Sequence, residues 1–398
     1  MADRRRRLAH LTTVDISLVY LLGTELRFAV EAGHEVFGIS APGDSAHLLA
    51  AMGVTHVPVP SLSRAWDLRA DTRATRDLFR TLRALDLDVL HTHTPKPGVL
   101  GRLLGHAAGI PVVVNTCHGL WAAPDDRLAR RAFVYGAEAV ASRGSDADLF
   151  QNGADRETMA HFVRGTPMSV VGNGIDLDHF RRDPEAGARV RAELGVGPDE
   201  VLVGGVGRLV AEKGIVELGV AARELAGTAR FVWAGPEEAD KGDRIAGAVD
   251  GVELLGMRTD MVAVYSALDV FVLPSHREGF ARSAMEAAAC GCAVLLSDIR
   301  GCREIGTHDV HVRLVPPQDP VALAAALREL VADPGLRARL GAAARERALT
   351  TFDQRAVATA SLETYDRVAL RKRLGWAPMA PPRPHLVPPP LAELDHRG

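Results

Sequence analysis

A chain of 398 residues is too long for one ordinary hydrophobic core and predicts two domains. Charged residues make up 24% of the chain, aromatic residues 5%, and the formal net charge is −3. This composition is typical of a globular protein and argues against a nucleic-acid partner, which selects for a basic surface. The N-terminal segment has no clear signal-peptide pattern, and no apolar run reaches the roughly 20 residues that span a bilayer. We therefore expect a cytoplasmic protein that at most touches the cytoplasmic face of the inner membrane.

The first half of the chain alternates short apolar runs with longer segments of helical periodicity. Such alternation predicts βαβ units and a parallel sheet that is covered by helices on both faces. The same alternation starts again later, so we predict two doubly wound α/β domains, residues 1–175 and 199–352. The predicted strands are 8–14, 34–40, 89–92, 112–115, 201–206, 229–234, 252–255, 270–273 and 293–297.

The segments that flank the second domain are predicted separately. Residues 176–198 are charged and contain prolines, which is typical of an interdomain linker that acts as a hinge. One helical segment is predicted over 321–349, and a last amphipathic helix over 353–373 is expected to return to the N-terminal domain. Residues 374–398 are rich in proline, which predicts a disordered tail.

A row of basic residues lies on one predicted helix of the first domain. The residues recur at steps of three and four, so they share one helix face, and we call them the arginine row: Arg69, Arg73, Arg76, Arg80 and Arg83. They could meet anionic lipid headgroups or a lipid-linked diphosphate. The alternative, which the sequence slightly favours, is a solvated face on which they pair with Asp67, Asp71 and Asp77.

Two basic residues follow the first strand of the second domain. Arg208 comes directly after that strand, and Lys213 lies in the turn that opens the next helix. Ligands of parallel sheets bind at the carboxyl ends of strands. There a guanidinium can bind a diphosphate through two hydrogen bonds, and a lysine adds a flexible point charge. The alternative is a surface basic pair without a ligand.

Two carboxylates, Glu278 and Glu286, lie eight positions apart after the strand 270–273, with Gly279 beside the first. A strand, a glycine turn and a helix N-terminus together form a receptor for an anion, and the carboxylates can accept hydrogen bonds from hydroxyls. An anion joined to a polyol is the chemistry of a nucleotide sugar. Ser283 and Glu286 also fit a capping box, in which the glutamate only returns a hydrogen bond to the helix start. That alternative does not account for Glu278.

Histidines follow two strands of the first domain. His118 is expected to face the interdomain cleft, where a histidine could donate to a ligand hydroxyl or move a proton. His91 and His93 share one face of a strand end, but the sequence identifies no third ligand, so no metal site is expected.

Three Asp-x-Asp pairs are interpreted as solvated turns. The cysteines lack zinc-type spacing and are expected to be buried thiols in a reducing compartment. These residues are Asp86/Asp88, Asp146/Asp148, Asp176/Asp178, Cys117, Cys290, Cys292 and Cys302.

These motifs resemble those of the family 4 glycosyltransferases, which have the GT-B fold, and in particular bacterial enzymes of capsular and exopolysaccharide assembly. The resemblance runs from residue 11 to about residue 370. Its most specific part is the spaced glutamate pair within 277–286. The other matching segments are His91-Thr92-His93-Thr94-Pro95-Lys96, Asn115-Thr116-Cys117-His118-Gly119, Asn173-Gly174-Ile175-Asp176 and Gly207-Arg208-Leu209-Val210-Ala211-Glu212-Lys213-Gly214.

The resemblance implies two Rossmann-like domains that face each other across a cleft, with the sugar nucleotide in the C-terminal domain and the acceptor mainly on the N-terminal one. Arg208 and Lys213 match the diphosphate ligands, and Glu286 matches the glutamate that binds the ribose. Glu278 matches the glutamate that holds the donor-sugar hydroxyls. The backbone beside it would approach the sugar and phosphate through Gly279, Phe280, Ala281 and Arg282.

The remaining site residues also follow from the resemblance. His118 matches the cleft histidine near the anomeric carbon, and with Glu278, Arg208 and Lys213 it forms the expected catalytic set. The loop that contains Met257 and Arg258 is similar to the nucleobase loop of the family, which reads the base largely through its backbone. The expected acceptor-binding residues are His93, Lys96 and Asn173.

The resemblance implies a retaining glycosyltransferase that requires no metal or other cofactor. We expect a UDP-sugar as the donor and a glycan, carried on a lipid diphosphate, as the acceptor. Two alternatives stay open: a nucleotide-sugar-binding protein that serves as a sensor or scaffold, and a nucleotide-sugar epimerase on a similar fold. The complete set of two cations and two glutamates favours catalysis. The first βα turn, residues 12–17, lacks the glycine pair of many relatives, which leaves the placement of the acceptor open.

Overall fold

The computed structural model describes residues 5–63, 67–122, 126–237, 243–245 and 247–379. These residues form two compact units. The first contains the described residues up to Gly172 and those from Gln354 onward, and the second runs from Asn173 to Asp353. The chain therefore leaves the first unit once, forms the second, and returns.

Each unit contains one parallel sheet. The first sheet has the order β3-β2-β1-β4-β5-β6-β7 and the second the order β10-β9-β8-β11-β12-β13, and every recorded strand pairing is parallel. The strands are β1 (Arg7–Val14), β2 (Glu35–Ala41), β3 (Thr55–Pro58), β4 (Val89–Thr92), β5 (Val112–Cys117), β6 (Ala147–Phe150), β7 (Met168–Val170), β8 (Leu202–Val206), β9 (Arg230–Ala234), β10 (Glu253–Gly256), β11 (Val270–Leu273), β12 (Ala293–Ser297) and β13 (Arg313–Val315).

Helices connect most successive strands, as is usual in a parallel sheet, whereas the described residues between β9 and β10 form no helix. They are α1 (Asp15–Tyr20), α2 (Gly23–Glu31), α3 (Ala46–Ala51), α4 (Leu68–Ala84), α5 (Pro95–Gly105), α6 (Leu128–Ser142), α7 (Gly153–Ala160), α8 (Pro184–Glu193), α9 (Ile215–Glu224), α10 (Met261–Ala267), α11 (Arg282–Ala289), α12 (Arg300–Arg303), α13 (Pro320–Ala332), α14 (Pro334–Thr351) and α15 (Gln354–Arg371). The central strands are buried along their whole length, because helices cover both faces of each sheet.

The segment 176–198 is not a free linker. Within it, α8 begins at an Asp-Pro step, where the Asp183 carboxylate accepts a hydrogen bond from Ala186 N at 2.9 Å. The helix packs closely on α10: a Cβ at Gly187 would lie 2.6 Å from the Ser266 carbonyl oxygen. Val190 is buried in the core of the second unit, so this segment belongs to that unit.

The single helical segment predicted over 321–349 is two helices, α13 and α14. Asp333 and Pro334 separate them, because the Asp333 side chain accepts a hydrogen bond from Leu336 N at 2.9 Å and caps the second helix. Pro334 has no N–H and suits the first helical position. The sequence prediction missed this break inside a continuous apolar pattern.

The last helix, α15, packs against α2 and β5 of the first unit. Residues 374–379, assigned above to a disordered tail, continue from it and pack on the same unit. The Trp376 ring lies 4.8 Å from the Arg6 guanidinium carbon, and Met379 N donates to Asp366 Oδ2 at 2.8 Å. The rest of the expected tail, residues 380–398, lies outside the described residues.

Candidate functional site

The candidate site of the second unit lies where the strand order of its sheet reverses. β8 and β11 are neighbours, although β9 and β10 come between them in the chain. In an open α/β sheet, the carboxyl ends of two such strands leave a crevice in which ligands bind. Arg208 follows β8, and Glu278 follows β11, so the structure brings the two sequence motifs to one edge of the sheet.

The loops at this edge are held against each other by backbone contacts. Gly214 has a φ of 76°, and a Cβ there would lie only 2.0 Å from the Pro274 carbonyl oxygen. His276 N donates to the Glu212 carbonyl oxygen at 2.8 Å. A glycine at position 214 is therefore required for the approach of the loop that carries Lys213 to the loop that carries Glu278.

Lys213 and Glu278 are in direct contact. Lys213 Nζ lies 2.5 Å from Glu278 Oε1, and Ser275 Oγ donates to the same carboxylate oxygen at 2.9 Å. The two side chains are only 16% and 10% exposed. A lysine and a carboxylate with this little solvent contact form a fixed pair, with an ammonium that can also reach an anion and a carboxylate whose second oxygen can accept from hydroxyls.

Glu286 is held by two partners that the sequence did not indicate. Tyr265 donates its hydroxyl to Glu286 Oε2 at 2.8 Å, and Arg282 Nε donates to Oε1 at 3.2 Å. Burial, together with the nearby carboxylate, raises the pKa of Tyr265 well above its usual value, so the phenol stays protonated and remains a donor. Tyr265 lies on α10, 21 residues before its partner in the chain, so no local motif could have revealed it.

The capping-box interpretation is wrong. α11 begins at Arg282, its N-cap is Ala281, and no side chain caps it. Ser283 instead donates its hydroxyl to the Val206 carbonyl oxygen at 3.1 Å, which joins α11 to the end of β8. Glu286 is therefore not used to cap the helix, and the helix N-terminus faces the strand ends without a side-chain acceptor.

The residues between the two glutamates would meet a ligand through their backbone. The side chains of Phe280 and Ala281 are buried, and the Phe280 ring packs edge-on against Phe352, with 5.9 Å between ring centroids. A Cβ at Gly301 would lie 2.4 Å from the Glu278 carbonyl oxygen, so the short helix α12 packs closely against this turn. The expected donor contacts of these residues thus depend on main-chain groups.

The loop expected to read the nucleobase borders a cavity of about 260 Å³ at the ends of β9 and β10. Trp233, Gly256 and Met257 are among the residues that line it. The Arg258 side chain is engaged elsewhere, because it binds Glu193 at 2.6 and 3.1 Å and Asp260 at 2.8 and 2.7 Å. Any contact of Arg258 with a base would therefore be a backbone contact.

In the first unit, the structure places His118 in a chain of histidines. His118 Nε2 lies 2.9 Å from His93 Nδ1, and His93 Nε2 lies 3.1 Å from His10 Nδ1. Burial lowers the pKa of His118 and of His10 to about 4 each, so both rings are neutral at pH 7. A neutral His118 can donate or accept one hydrogen bond but carries no charge for an anion.

The structure corrects the conclusion that His91 and His93 lack further ligand partners. His10 of β1 lies opposite His91 of β4 in the sheet, and the Glu25 carboxylate of α2 lies 3.3 Å from His91 Nδ1. Burial alone would raise the pKa of Glu25, but the adjacent His91 reverses this and lowers it to about 2. The chain thus holds a buried, ionised carboxylate among imidazole rings.

The residues expected to bind an acceptor come from both units. His93 is fully buried inside the histidine cluster, and Lys96 is buried with its Nζ 2.5 Å from Asp71 Oδ1. Asn173 belongs to the second unit, where its side chain accepts a hydrogen bond from Gly174 N at 2.8 Å. His93 and Lys96 are therefore held by contacts inside the first unit, and the acceptor role of all three residues stays a prediction.

The arginine row lies on an exposed face, as the sequence slightly favoured, but without the ion pairs that this alternative expected among the described residues. All five residues of the arginine row, on α4, are exposed, and no ion pair joins them to an acid within the part of the chain that the structure describes. Of the expected partners, Asp67 caps α4 and Asp71 binds Lys96. Asp146 and Asp148 are not solvated turns but are buried, and Asp148 lies 3.6 Å from Arg102.

Comparison with known proteins assigns the family. Residues 188–347 match the model for glycosyl transferases group 1, and residues 21–179 match that for Glycosyltransferase Family 4. The D-inositol 3-phosphate glycosyltransferase of Xylanimonas cellulosilytica is 32% identical over 72% of this chain and 73% of its own length. The UDP-Gal:alpha-D-GlcNAc-diphosphoundecaprenol alpha-1,3-galactosyltransferase of Escherichia coli is 30% identical over 61% of this chain, which spans 66% of that relative.

The fold is similar to that of solved glycosyltransferases. Anabaena HepE, crystallised in complex with UDP and glucose, superposes with a TM-score of 0.78 at 18% identity and covers 91% of this chain and 100% of its own. Among the described residues, no helix is both long and apolar enough to cross a membrane. From the family matches and this architecture, the chain belongs to the group 1 glycosyltransferases of family 4 and has the GT-B fold.

Proposed function

We propose that the chain is a retaining glycosyltransferase of polysaccharide or glycoconjugate biosynthesis that takes its sugar from a UDP-sugar. The observation that carries this proposal is the contact between Lys213 and Glu278, 2.5 Å apart at the adjoining ends of β8 and β11. It joins a cation suited to a diphosphate with a carboxylate suited to sugar hydroxyls. A nucleotide sugar carries both a diphosphate and sugar hydroxyls, and the bond that breaks during transfer lies between the diphosphate and the sugar.

In the proposed complex, the donor lies along the strand ends of the second unit. Arg208 and Lys213 bind the diphosphate, and the uncapped N-terminus of α11 adds its partial positive charge. Glu278 accepts hydrogen bonds from the sugar. Glu286, whose oxygens Tyr265 and Arg282 hold in place, accepts from the ribose. The cavity beside Trp233 takes the base.

Catalysis depends on the charge that develops on the leaving diphosphate. As the bond to the anomeric carbon breaks, negative charge grows on the bridging oxygen, and the two cations are positioned to stabilise it. Because these cations neutralise the diphosphate, the proposal requires no divalent ion at this position. Orientation of the acceptor hydroxyl supplies much of the remaining rate enhancement. No side chain is assigned as a nucleophile, and His118 is proposed as a member of the catalytic set.

The donor and acceptor classes draw on the relatives. The Escherichia coli relative is named for a UDP-sugar donor and a diphosphoundecaprenol acceptor, and HepE was crystallised with UDP and glucose. We extend these classes to this chain: a UDP-sugar as the donor and a glycan on a lipid diphosphate as the acceptor. The identity of the sugar is not proposed, because no residue of the site distinguishes one hydroxyl configuration from another.

The arginine row supports a contact with an anionic membrane surface. Its members lie on one side of α4 over about 21 Å, given the rise of a helix, and all are exposed. Each basic residue near an anionic bilayer contributes about 1 kcal/mol of attraction at low ionic strength. A row of this length would orient the first unit on the cytoplasmic face, where lipid-linked acceptors are reached.

The test is a transfer assay with the full chain. UDP-, GDP- and ADP-sugars are each incubated with a short lipid-diphosphate-linked glycan, and mass spectrometry detects the elongated lipid. We expect elongated lipid with a UDP-sugar as the donor. The amount of product in an EDTA-containing buffer should not change when Mg²⁺ is added. NMR of the product should show the donor's anomeric configuration. Free nucleotide released together with an epimerised sugar in the absence of acceptor would indicate the epimerase alternative, and binding without turnover would indicate the sensor.

A further inference from the structure

Four potential metal ligands meet inside the first unit, apart from the residues assigned to the donor. His10, Glu25, His91 and His93 each place one ligand atom within 4.8 Å of those of the other three. The fold creates this group by strand register: His10 and His91 are opposite each other on adjacent strands, and His93 lies two positions beyond His91 on the same face. Glu25 reaches the cluster from α2.

The spacing of the ligand atoms is close to that of a metal site. His10 Nδ1 lies 3.1 Å from His93 Nε2, and His91 Nδ1 lies 3.3 Å from Glu25 Oε1. In a tetrahedral site with bonds of about 2.0–2.1 Å, neighbouring ligand atoms are about 3.3 Å apart. Two edges of such a tetrahedron are therefore already present, and all four ligand atoms lie within 4.8 Å of one another.

The electrostatics of the cluster call for a positive charge. Glu25 Oε1 is buried and has no well-formed hydrogen bond among the described residues. A buried carboxylate is stable only when it is paired with a cation or coordinates one. A metal ion supplies such a charge, and three imidazoles with one carboxylate are a ligand set that suits Zn²⁺.

We propose that His10, Glu25, His91 and His93 bind one divalent transition-metal ion of the Zn²⁺ class. Four protein ligands that exclude solvent are typical of a structural site. This ion is separate from the chemistry of the donor diphosphate, which lies in the second unit.

The site also has a consequence for His118. When His93 binds the ion through Nε2, its proton is confined to Nδ1, which lies 2.9 Å from His118 Nε2. His118 must then accept this hydrogen bond and carry its own proton on Nδ1. The ion would thereby fix the tautomer of His118, which we propose for the catalytic set, through the one intervening ring of His93.

The test measures the metal directly. The full chain is produced in minimal medium with added Zn²⁺ or Co²⁺ and purified by gel filtration in an EDTA-containing buffer. Its metal content is then measured by elemental mass spectrometry. About one ion per chain is expected, and the Co²⁺ form should show the strong visible absorption of a four-coordinate site with nitrogen and oxygen ligands. A separate sample, unfolded in chelator and refolded with Co²⁺, should reach the same spectrum, since the buried site fills on folding.

Variants show which residues hold the ion. Glu25→Gln and His10→Gln should each weaken Co²⁺ binding by at least about 100-fold. His56→Gln is the matched control, because His56 is a histidine of the same unit that bonds Ser40 at 2.9 Å outside the cluster, and it should bind normally. Wild-type protein that is folded by circular dichroism yet holds no metal would overturn the proposal, as would variants that bind like the wild type. If the variants fail to fold, the wild-type metal content and spectrum decide alone.

Discussion

The contact between Lys213 and Glu278 is both a structural ion pair and the proposed centre of donor binding, and a double-mutant cycle separates the two roles. Lys213→Met leaves the Glu278 carboxylate with the Ser275 hydroxyl as its recorded hydrogen-bond donor. Glu278→Gln leaves the ammonium without its carboxylate. The double variant removes both charges and leaves two neutral side chains of similar size.

The expected loss of stability follows from burial. Removal of one partner of a buried ion pair costs about 3–5 kcal/mol. The side chains of Lys213 and Glu278 are 16% and 10% exposed, so contact with water and with Ser275 reduces the cost of leaving one of them unpaired. We expect about 2–3 kcal/mol for Lys213→Met, which lowers the Tm by about 5–10 °C for a unit of this size. The double variant should recover to within about 1 kcal/mol of the wild type.

Turnover should not recover with stability. A preorganised group that stabilises developing charge contributes about 100- to 1000-fold in kcat, and the double variant still lacks the ammonium. Thermal unfolding and acceptor-dependent UDP release are measured for all four proteins. Arg230→Met is the matched control, since Arg230 forms a 2.7 Å pair with Glu253 at the surface of the same unit, and it should change neither quantity appreciably. A double variant that regains both stability and turnover would refute the assigned role of the pair.

Three further predictions use other contacts. Tyr265→Phe removes the 2.8 Å hydrogen bond to Glu286 without a change in ring packing. It should raise the donor KM about 10-fold with little effect on kcat. An unchanged KM would mean that Glu286 does not bind the donor. Gly214→Ala places a Cβ against the Pro274 carbonyl and should abolish most turnover. Gly227→Ala is also at positive φ but in open space, so it should retain turnover. Equal turnover in the two variants would contradict the argument. Replacement of the whole arginine row by glutamine should abolish cosedimentation with anionic vesicles at low salt and spare transfer to a detergent-solubilised acceptor, and unchanged cosedimentation would exclude this surface.

The sequence predicted the central strands well, because their apolar runs are long and buried. β4, β11 and β12 have the predicted bounds. The strands missed are β3, β6, β7 and β13, each of three or four residues. β3, β7 and β13 lie at sheet edges and are partly exposed, so no periodicity marks them. β6 is buried but contains Asp148, whose charge interrupts the apolar pattern.

The site was predictable where its residues follow one strand and not where they come from distant segments. The spacing of Glu278 and Glu286 and their position after β11 could be read from the chain. Tyr265 could not, because its contact with Glu286 joins two helices that are separated in the chain by a strand and a loop. His10 and Glu25 were missed for the same reason, since the cluster exists only through the pairing of β1 with β4 and the position of α2. Spacing along the sequence identifies site residues that share one loop, whereas residues from distant segments join a site only through strand register and helix packing.

Equilibrium binding of nucleotide sugars tests the central claim most directly. A ligand at 100 times its Kd stabilises the protein by about 2.7 kcal/mol, so a thermal-shift panel of UDP-, GDP- and ADP-sugars reports affinity without knowledge of the acceptor. We predict a concentration-dependent rise in Tm with at least one UDP-sugar, and its loss in the Lys213→Met/Glu278→Gln protein. No response to any nucleotide sugar, or an equal response in that double variant, would contradict the assignment of these two residues to the donor.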